Sequence, residues 1–265
     1  MNTRIIYSLL VGLLTSALTM TSHAVTPAWN LQAGQHPQTS VATSAQRTDT
    51  FTTDFQLYLP QGFDQPSAPK WPLILFLHGS GERGDDIELV KLHGPPKVVQ
   101  GKPDFPFIVV SPQAKAGQRW DTARLNALLD DLLQRLPIDP QRLYLTGLSL
   151  GGHGTWKWAA ELPGRFAAIA PVCGVGDVAS ACKLKSVPVW AFHGDADSVV
   201  PFAATQSMVQ ALRDCGGEVR FTAYPGVDHD SWTATYNNPA LYDWFLQHRR
   251  NSSSPQAGKN PSTDK

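Results

Sequence analysis

The chain has 265 residues, 42% of them hydrophobic and 17% charged, with 22 basic residues against 22 acidic ones and a formal net charge of zero. That length and apolar content suit one well-buried α/β domain and exclude an intrinsically disordered chain. The balanced charge, with no basic block, argues against nucleic acid or an anionic membrane surface as a principal partner.

At the N-terminus, Arg4 precedes the apolar run IIYSLLVGLLTSALTM, and Ser22-His23-Ala24 offers a small-x-small cleavage site. This is the pattern of a signal peptide over residues 1–24, cut after Ala24. The run falls short of the roughly 20 apolar residues that a membrane-spanning helix needs. A secreted or periplasmic protein is expected, with no membrane span left after cleavage. Residues 25–50, rich in Thr, Ser, Gln and Ala, read as an extended N-terminal segment, and residues 251–265, NSSSPQAGKNPSTDK, as a disordered polar tail.

The body, residues 51–250, shows no internal repeat and no linker. Strands are predicted at FQLYLP near residue 55, at PLILFLHG (72–79) and at FPFIVVSP (105–112). RLNALLDDLLQRLP, with apolar residues three and four apart and a stop at Pro137, predicts an amphipathic helix. Strands follow at RLYLTG, FAAIAPV, VPVWAFHG and VRFTAYPG, with helices over 151–162, 203–215 and 240–250. Continuous apolar strands alternating with helices predict a mostly parallel central sheet with helices on both faces. In such a sheet, sites form where strands end.

Three of the strand endings carry a serine, a carboxylate and an imidazole, in that chain order. Ser149 sits in Gly147-Leu148-Ser149-Leu150-Gly151, where a sharp strand-to-helix turn needs small neighbours. A serine hydroxyl needs a base to take its proton during attack, and His229, past the last predicted strand, is the candidate. His78 and His193 begin HG turns suited to structural bonds with nearby backbone, and His153 lies on the helix after Ser149. The carboxylate that orients the imidazole is Asp197. Asp195 competes, with holding its own turn as its alternative role. Donors for a developing oxyanion come from the backbone NH of Leu150 and from the HGSGERG loop, through Ser80 or Gly79. The chemistry calls for no metal and no cofactor.

The segments LFLHGSGERGDD, HGPPK, LTGLSLGGHGTW, AFHGDADSVVP and YPGVDHDSWT, spread over residues 51–250, resemble the α/β-hydrolase superfamily. Within it they are similar to the compact secreted carboxylesterases related to dienelactone hydrolases, feruloyl and acetyl xylan esterases, and the phospholipase/carboxylesterase group with a prolyl-oligopeptidase-like domain. The resemblance implies an α/β-hydrolase fold with Ser149 as nucleophile, Asp197 as acid, His229 as base, and Leu150 and Ser80 as oxyanion donors. Leu150 stands where members often carry Met, a change that leaves the backbone NH in place. No segment resembles a β-propeller gate, which weakens a peptidase reading.

The remaining features bear on substrate and stability. Trp120 and Trp232 are candidates for lining the substrate site, with ordinary packing as the alternative. Glu82 and Arg83 suit a salt-bridged structural loop. Only residues 173–187 are available for a lid between the strand that follows the nucleophile and the acid's strand, so an open site is expected, suited to soluble or polymer-attached esters. Export would allow a disulfide between Cys173 and Cys182, nine positions apart, stabilising by roughly 2–3 kcal/mol, with Cys215 a buried small hydrophobe. The expectation is a secreted serine carboxylesterase acting through an acyl-enzyme. A small-peptide or amide hydrolase, and a non-catalytic binding protein on the same scaffold, are the rival readings.

Overall fold

A computed structural model describes residues 28–45, 48–65 and 67–250. The signal peptide expected over residues 1–24 and the polar tail expected over residues 251–265 lie outside the described residues. The strands are β1 (Gly34–Thr43), β2 (Thr50–Leu59), β3 (Trp71–Leu77), β4 (Ile108–Pro112), β5 (Ile138–Leu148), β6 (Ala168–Val172), β7 (Val189–Gly194) and β8 (Val219–Tyr224). The helices are α1 (Gly94–Val98), α2 (Thr122–Arg135), α3 (Leu150–Glu161), α4 (Phe202–Asp214), α5 (Trp232–Asn237) and α6 (Pro239–Gln247). Two 3-10 helices, Ile87–Leu92 and Val178–Leu184, sit in the connections after β3 and β6.

All eight strands form one sheet in the order β1-β2-β4-β3-β5-β6-β7-β8. The pairs from β4 to β8 are parallel, and β1 and β2 add an antiparallel margin. β3 shows why a continuous apolar run belongs in the middle of such a sheet. Its residues Leu73, Leu75 and Leu77 point into the core under α2, α3 and α4, while Ile74 and Phe76 point into the core under α1, α5 and α6. A strand covered on both faces has no position where a polar side chain would be cheap. The result is the α/β-hydrolase fold.

The helices begin and end where local chemistry dictates. Asp121 caps α2 by accepting from the NH groups of Ala123 and Arg124, a bond type that contributes about 1 kcal/mol, and the helix stops before Pro137. Inside the α2–α3 contact, the buried Asn126 Oδ1 accepts from the Trp158 indole at 2.7 Å, so these two buried polar atoms satisfy each other.

Two findings depart from the sequence reading. The lead-in, read as extended without periodicity, contributes β1, which pairs with β2 over ten residues from Gly34↔Leu59 to Thr43↔Thr50. Its buried positions are polar, Gln38 and Ser40. They are satisfied by hydrogen bonds, with Gln38 exchanging two with the Asn30 backbone and Ser40 donating to Asp131 at 2.5 Å.

The second departure is the disulfide. Cys182 pairs with Cys215 and not with Cys173, with a Cα–Cα distance of 5.3 Å. Asp177 caps the 3-10 helix Val178–Leu184 through the NH of Ala179 and so turns the chain away from the end of β6. That helix lies on α4, whose C-terminal cap is Cys215. Cys173, fully buried at the end of β6, is left as a thiol. The bridge spans 33 residues, a loop whose closure removes about 3–4 kcal/mol of unfolded-chain entropy on the chain-entropy account.

Candidate active site

Ser149 occupies the single residue between β5 and α3, at φ 51° and ψ −113°. This is backbone space that side-chain-bearing residues avoid, at a cost of order 1–3 kcal/mol. Close packing enforces it. A Cβ on Gly151 would lie 1.8 Å from the Leu77 carbonyl oxygen, and one on Gly147 would lie 2.5 Å from the Gly151 carbonyl oxygen. The glycines therefore let β5, α3 and the end of β3 close on one another, and the serine is pushed out at the top. Its NH donates to the Val172 carbonyl at 3.0 Å, tying the turn to β6.

The Ser149 hydroxyl lies 3.0 Å from His229 Nε2, and His229 Nδ1 lies 2.8 Å from Asp197 Oδ2. The three residues come from the ends of β5, β7 and β8, and the structure brings them together as a hydrogen-bonded chain. The Asp197 side chain is fully buried and that of His229 is 18% exposed. Burial alone would raise the Asp197 pKa. The His229 N–H and the backbone NH groups of Val200 and Val199, the latter two on Oδ1, outweigh it and hold the carboxyl below its ordinary range. Asp197 is thus an anion at neutral pH whose charge is spread over several donors.

The loops after β7 and β8 are latched to each other by two further carboxylates. Asp195 does not close its own turn; its Oδ1 accepts from the Gly226 NH across the gap at 2.7 Å. In the reverse direction, Asp228 accepts from the Ser198 NH, the Ser198 hydroxyl and the His229 NH, at 2.8, 2.9 and 2.8 Å. These donors, the Ser198 NH foremost, hold the Asp228 carboxyl below its usual range. Neither role follows from local sequence, because each joins residues about thirty positions apart.

The other half of the site is the loop after β3. Leu150 is the first residue of α3, so its NH is one of the helix's orphan donors. Ser80 is exposed on the loop, and its carbonyl accepts from Arg83 Nε at 2.9 Å. Arg83 does not pair with Glu82; it reaches the Ser80 and Gln118 carbonyls. Glu82 is buried instead, 3.7 Å from a ring nitrogen of both His78 and His93. Gln113, a buried residue the sequence did not single out, clamps this loop by donating to the Glu82 and Asp86 carbonyls at 2.9 and 2.7 Å.

The other histidines have structural partners. His78 accepts the Ala114 NH at Nε2 and so carries its proton on Nδ1, donating to the Gly79 carbonyl at 2.6 Å; burial lowers its pKa to about 4. His153 bonds the Val175 carbonyl at 2.8 Å. Trp120 is buried, its indole donating to the His78 carbonyl at 3.3 Å and its ring against His78. Trp232 stands beside the Ser149–His229–Asp197 chain, its ring centroid 5.1 Å from that of His229 and perpendicular to it, and 5.6 Å from that of His93.

Cys173 lies under the site, also at a positive φ of 40°. Its sulfur and one donor atom each of Asp197 and His229 lie within 4.8 Å of one another. Burial, the dominant influence, pushes the thiol up to about 12, and the other two groups are already bonded to each other. The β6–β7 connection carries only the 3-10 helix Val178–Leu184, so nothing there is large enough to close over Ser149. No helix among the described residues is long and apolar enough to cross a membrane.

Comparison with known proteins places this geometry. The chain is 26% identical over 202 residues to a bifunctional acetylxylan esterase/xylanase of Neocallimastix patriciarum, covering 72% of this chain and 28% of that protein. It is 29% identical over 216 residues to a poly(3-hydroxyoctanoate) depolymerase of Pseudomonas fluorescens, covering 69% of this chain and 76% of that one. A solved thermostable esterase is 32% identical with a TM-score of 0.66, covering 81% of this chain and 63% of the other. The chain thus spans less than two thirds of the first relative and of that esterase. Residues 110–246, just over half the chain, match the sequence model of the dienelactone hydrolase family. With its parallel sheet and the serine at the strand-to-helix turn, the chain belongs to the dienelactone hydrolase family of α/β-hydrolases.

Proposed function

We propose that the protein is a serine hydrolase that cleaves carboxylic esters through an acyl-enzyme. The observation that carries the reading is the 3.0 Å contact between Ser149 Oγ and His229 Nε2 at a serine with φ 51°. Ser149 Oγ attacks the ester carbonyl as its proton passes to His229 Nε2, and the imidazolium is stabilised by Asp197. The oxyanion is received by the NH groups of Leu150 and Ser80. The proton on Nε2 then goes to the leaving alcohol, and a water activated by the same nitrogen releases the acid.

An uncapped site supports soluble or polymer-attached esters over aggregated lipid, with Trp232 as an aromatic wall beside the base. The relatives that act on acetylated xylan and on a polyester support the same substrate class. The apolar run after Arg4 supports export to the periplasm or medium, where the Cys182–Cys215 bridge persists.

With a short-chain p-nitrophenyl ester, the purified protein is expected to release a burst of p-nitrophenol equal to the enzyme concentration before steady turnover, and Ser149→Ala to abolish both phases. Undiminished turnover in Ser149→Ala would overturn the reading.

A further inference from the structure

Asp197 Oδ2 faces not one imidazole nitrogen but two. His229 Nδ1 approaches it at 2.8 Å and His193 Nε2 at 3.0 Å. His193 ends β7 four residues before Asp197, is fully buried, and takes no part in the proton transfers described above. Its surroundings fix which ring nitrogen holds the proton. Nε2 faces two acceptor oxygens, Asp197 Oδ2 and the Val200 carbonyl at 3.1 Å, so a bare lone pair there would face like charge. Nδ1 faces the Thr205 hydroxyl at 2.7 Å, which can donate. The consistent arrangement is Thr205 Oγ–H to Nδ1, and an Nε2–H that bonds the Val200 carbonyl with its positive end beside Asp197 Oδ2. Burial keeps this imidazole below its ordinary range, and it is neutral at neutral pH. Thr205, on α4, has one hydroxyl proton for two acceptors, Nδ1 at 2.7 Å and the Gly174 carbonyl at 3.1 Å, and in this tautomer the shorter contact takes it.

We infer that His193 is a positioning residue: its Nε2–H, aimed by Thr205, fixes the Asp197 carboxylate so that a lone pair of Oδ2 points at His229 Nδ1. Val199 and Val200 hold Oδ1, and rotation about Cβ–Cγ moves both oxygens together; His193 braces the opposite oxygen beside His229, so the carboxylate plane is held at both ends and cannot rock away from His229. Loss of His193 therefore misplaces the base, which acts in the transition state, and leaves substrate binding alone.

This inference rests on the Ser149–His229–Asp197 reading, and the experiment separates the two. Steady-state kinetics on a p-nitrophenyl ester are measured for wild type, Ser149→Ala, His193→Leu, His193→Gln and Thr205→Val, with circular dichroism melts as the check on folding. His193→Leu is expected to lower kcat on the order of 10²-fold with KM unchanged, the size of effect that small misplacements produce. His193→Gln, whose amide can place an N–H where Nε2 stood, is expected to recover most of that loss. If His193→Leu does not fold, Thr205→Val carries the test, with a fall in kcat at constant KM expected. Wild-type kcat in the folded His193→Leu, or in Thr205→Val where that substitutes for it, overturns the inference, as does a Gln variant no better than Leu. Activity retained in Ser149→Ala refutes the triad reading itself.

Discussion

The two halves of the site are held rigid by opposite means. At the nucleophile's turn no carboxylate does the holding: beside the backbone bond from Ser149 NH to Val172, Gly147 and Gly151 allow backbone to approach backbone, and the strain at Ser149 is maintained because there is no room to relax. At the acid and base loops there is room, and three carboxylates do the holding, with Asp195 and Asp228 crossing between the loops in opposite directions and Asp197 gripped by NH groups. The difference teaches that one half fails when an atom is added, and the other when a charge or a donor is removed. Only the second half should feel pH.

The comparison can be broken in order of size. Asp197→Asn keeps the shape of the side chain but presents an amide to His229 Nδ1, which favours the wrong imidazole tautomer; kcat is expected to fall roughly 10⁴-fold, measured by steady-state kinetics. Cys182→Ser removes a covalent tie distant from either half, and a urea midpoint should report a loss of about 3–4 kcal/mol with kcat unchanged at 25 °C. A loss of activity without a loss of stability would mean that the bridge shapes the site. Gly151→Ala adds one atom 1.8 Å from the Leu77 carbonyl oxygen. It is expected to cost about 3 kcal/mol of stability and, unlike Cys182→Ser, to lower kcat in the protein that remains folded. Asp228→Asn leaves its donors a weaker acceptor, and kcat should drop by no more than about tenfold, since such a loosening misplaces the base only slightly.

The pH dependence sharpens the same contrast. The Asp197 carboxyl is held below its ordinary range in the folded protein. A group whose pKa is depressed by folding contributes stability above its unfolded value, about 3.9, and loses it as pH falls through the folded value. Urea midpoints of wild type and Asp197→Asn are therefore expected to differ at neutral pH and to converge below pH 4. Gly151→Ala should show a deficit that stays constant across that range. Parallel curves for Asp197→Asn would mean that its donors contribute nothing net.

Much of this was legible in the sequence, for identifiable reasons. β3 reads as a buried strand because both of its faces are apolar. Ser149, Asp197 and His229 stand out because each follows an apolar run at a strand ending, and the fold brings such endings together. The disulfide was not legible in the same way, since a spacing of nine positions says nothing about where a capped 3-10 helix carries Cys182. Nor was β1, whose inward-facing Gln38 and Ser40 are satisfied by hydrogen bonds and break the apolar alternation that marks a strand. Trp120 and Trp232 read alike in the sequence, and only packing separates the one buried against His78 from the one beside His229. His193 reads as a turn histidine, and its contact with Asp197 appears only when the loop is folded.

The central claim is that Ser149 becomes covalently acylated, and mass spectrometry tests it most directly. The protein is mixed with an aryl ester, quenched in acid during the burst and digested. The account predicts the acyl mass on the peptide that contains Ser149, and its absence from Ser149→Ala. Turnover with no acylated peptide, or an acyl group carried on Cys173 or His229 in its place, would contradict it.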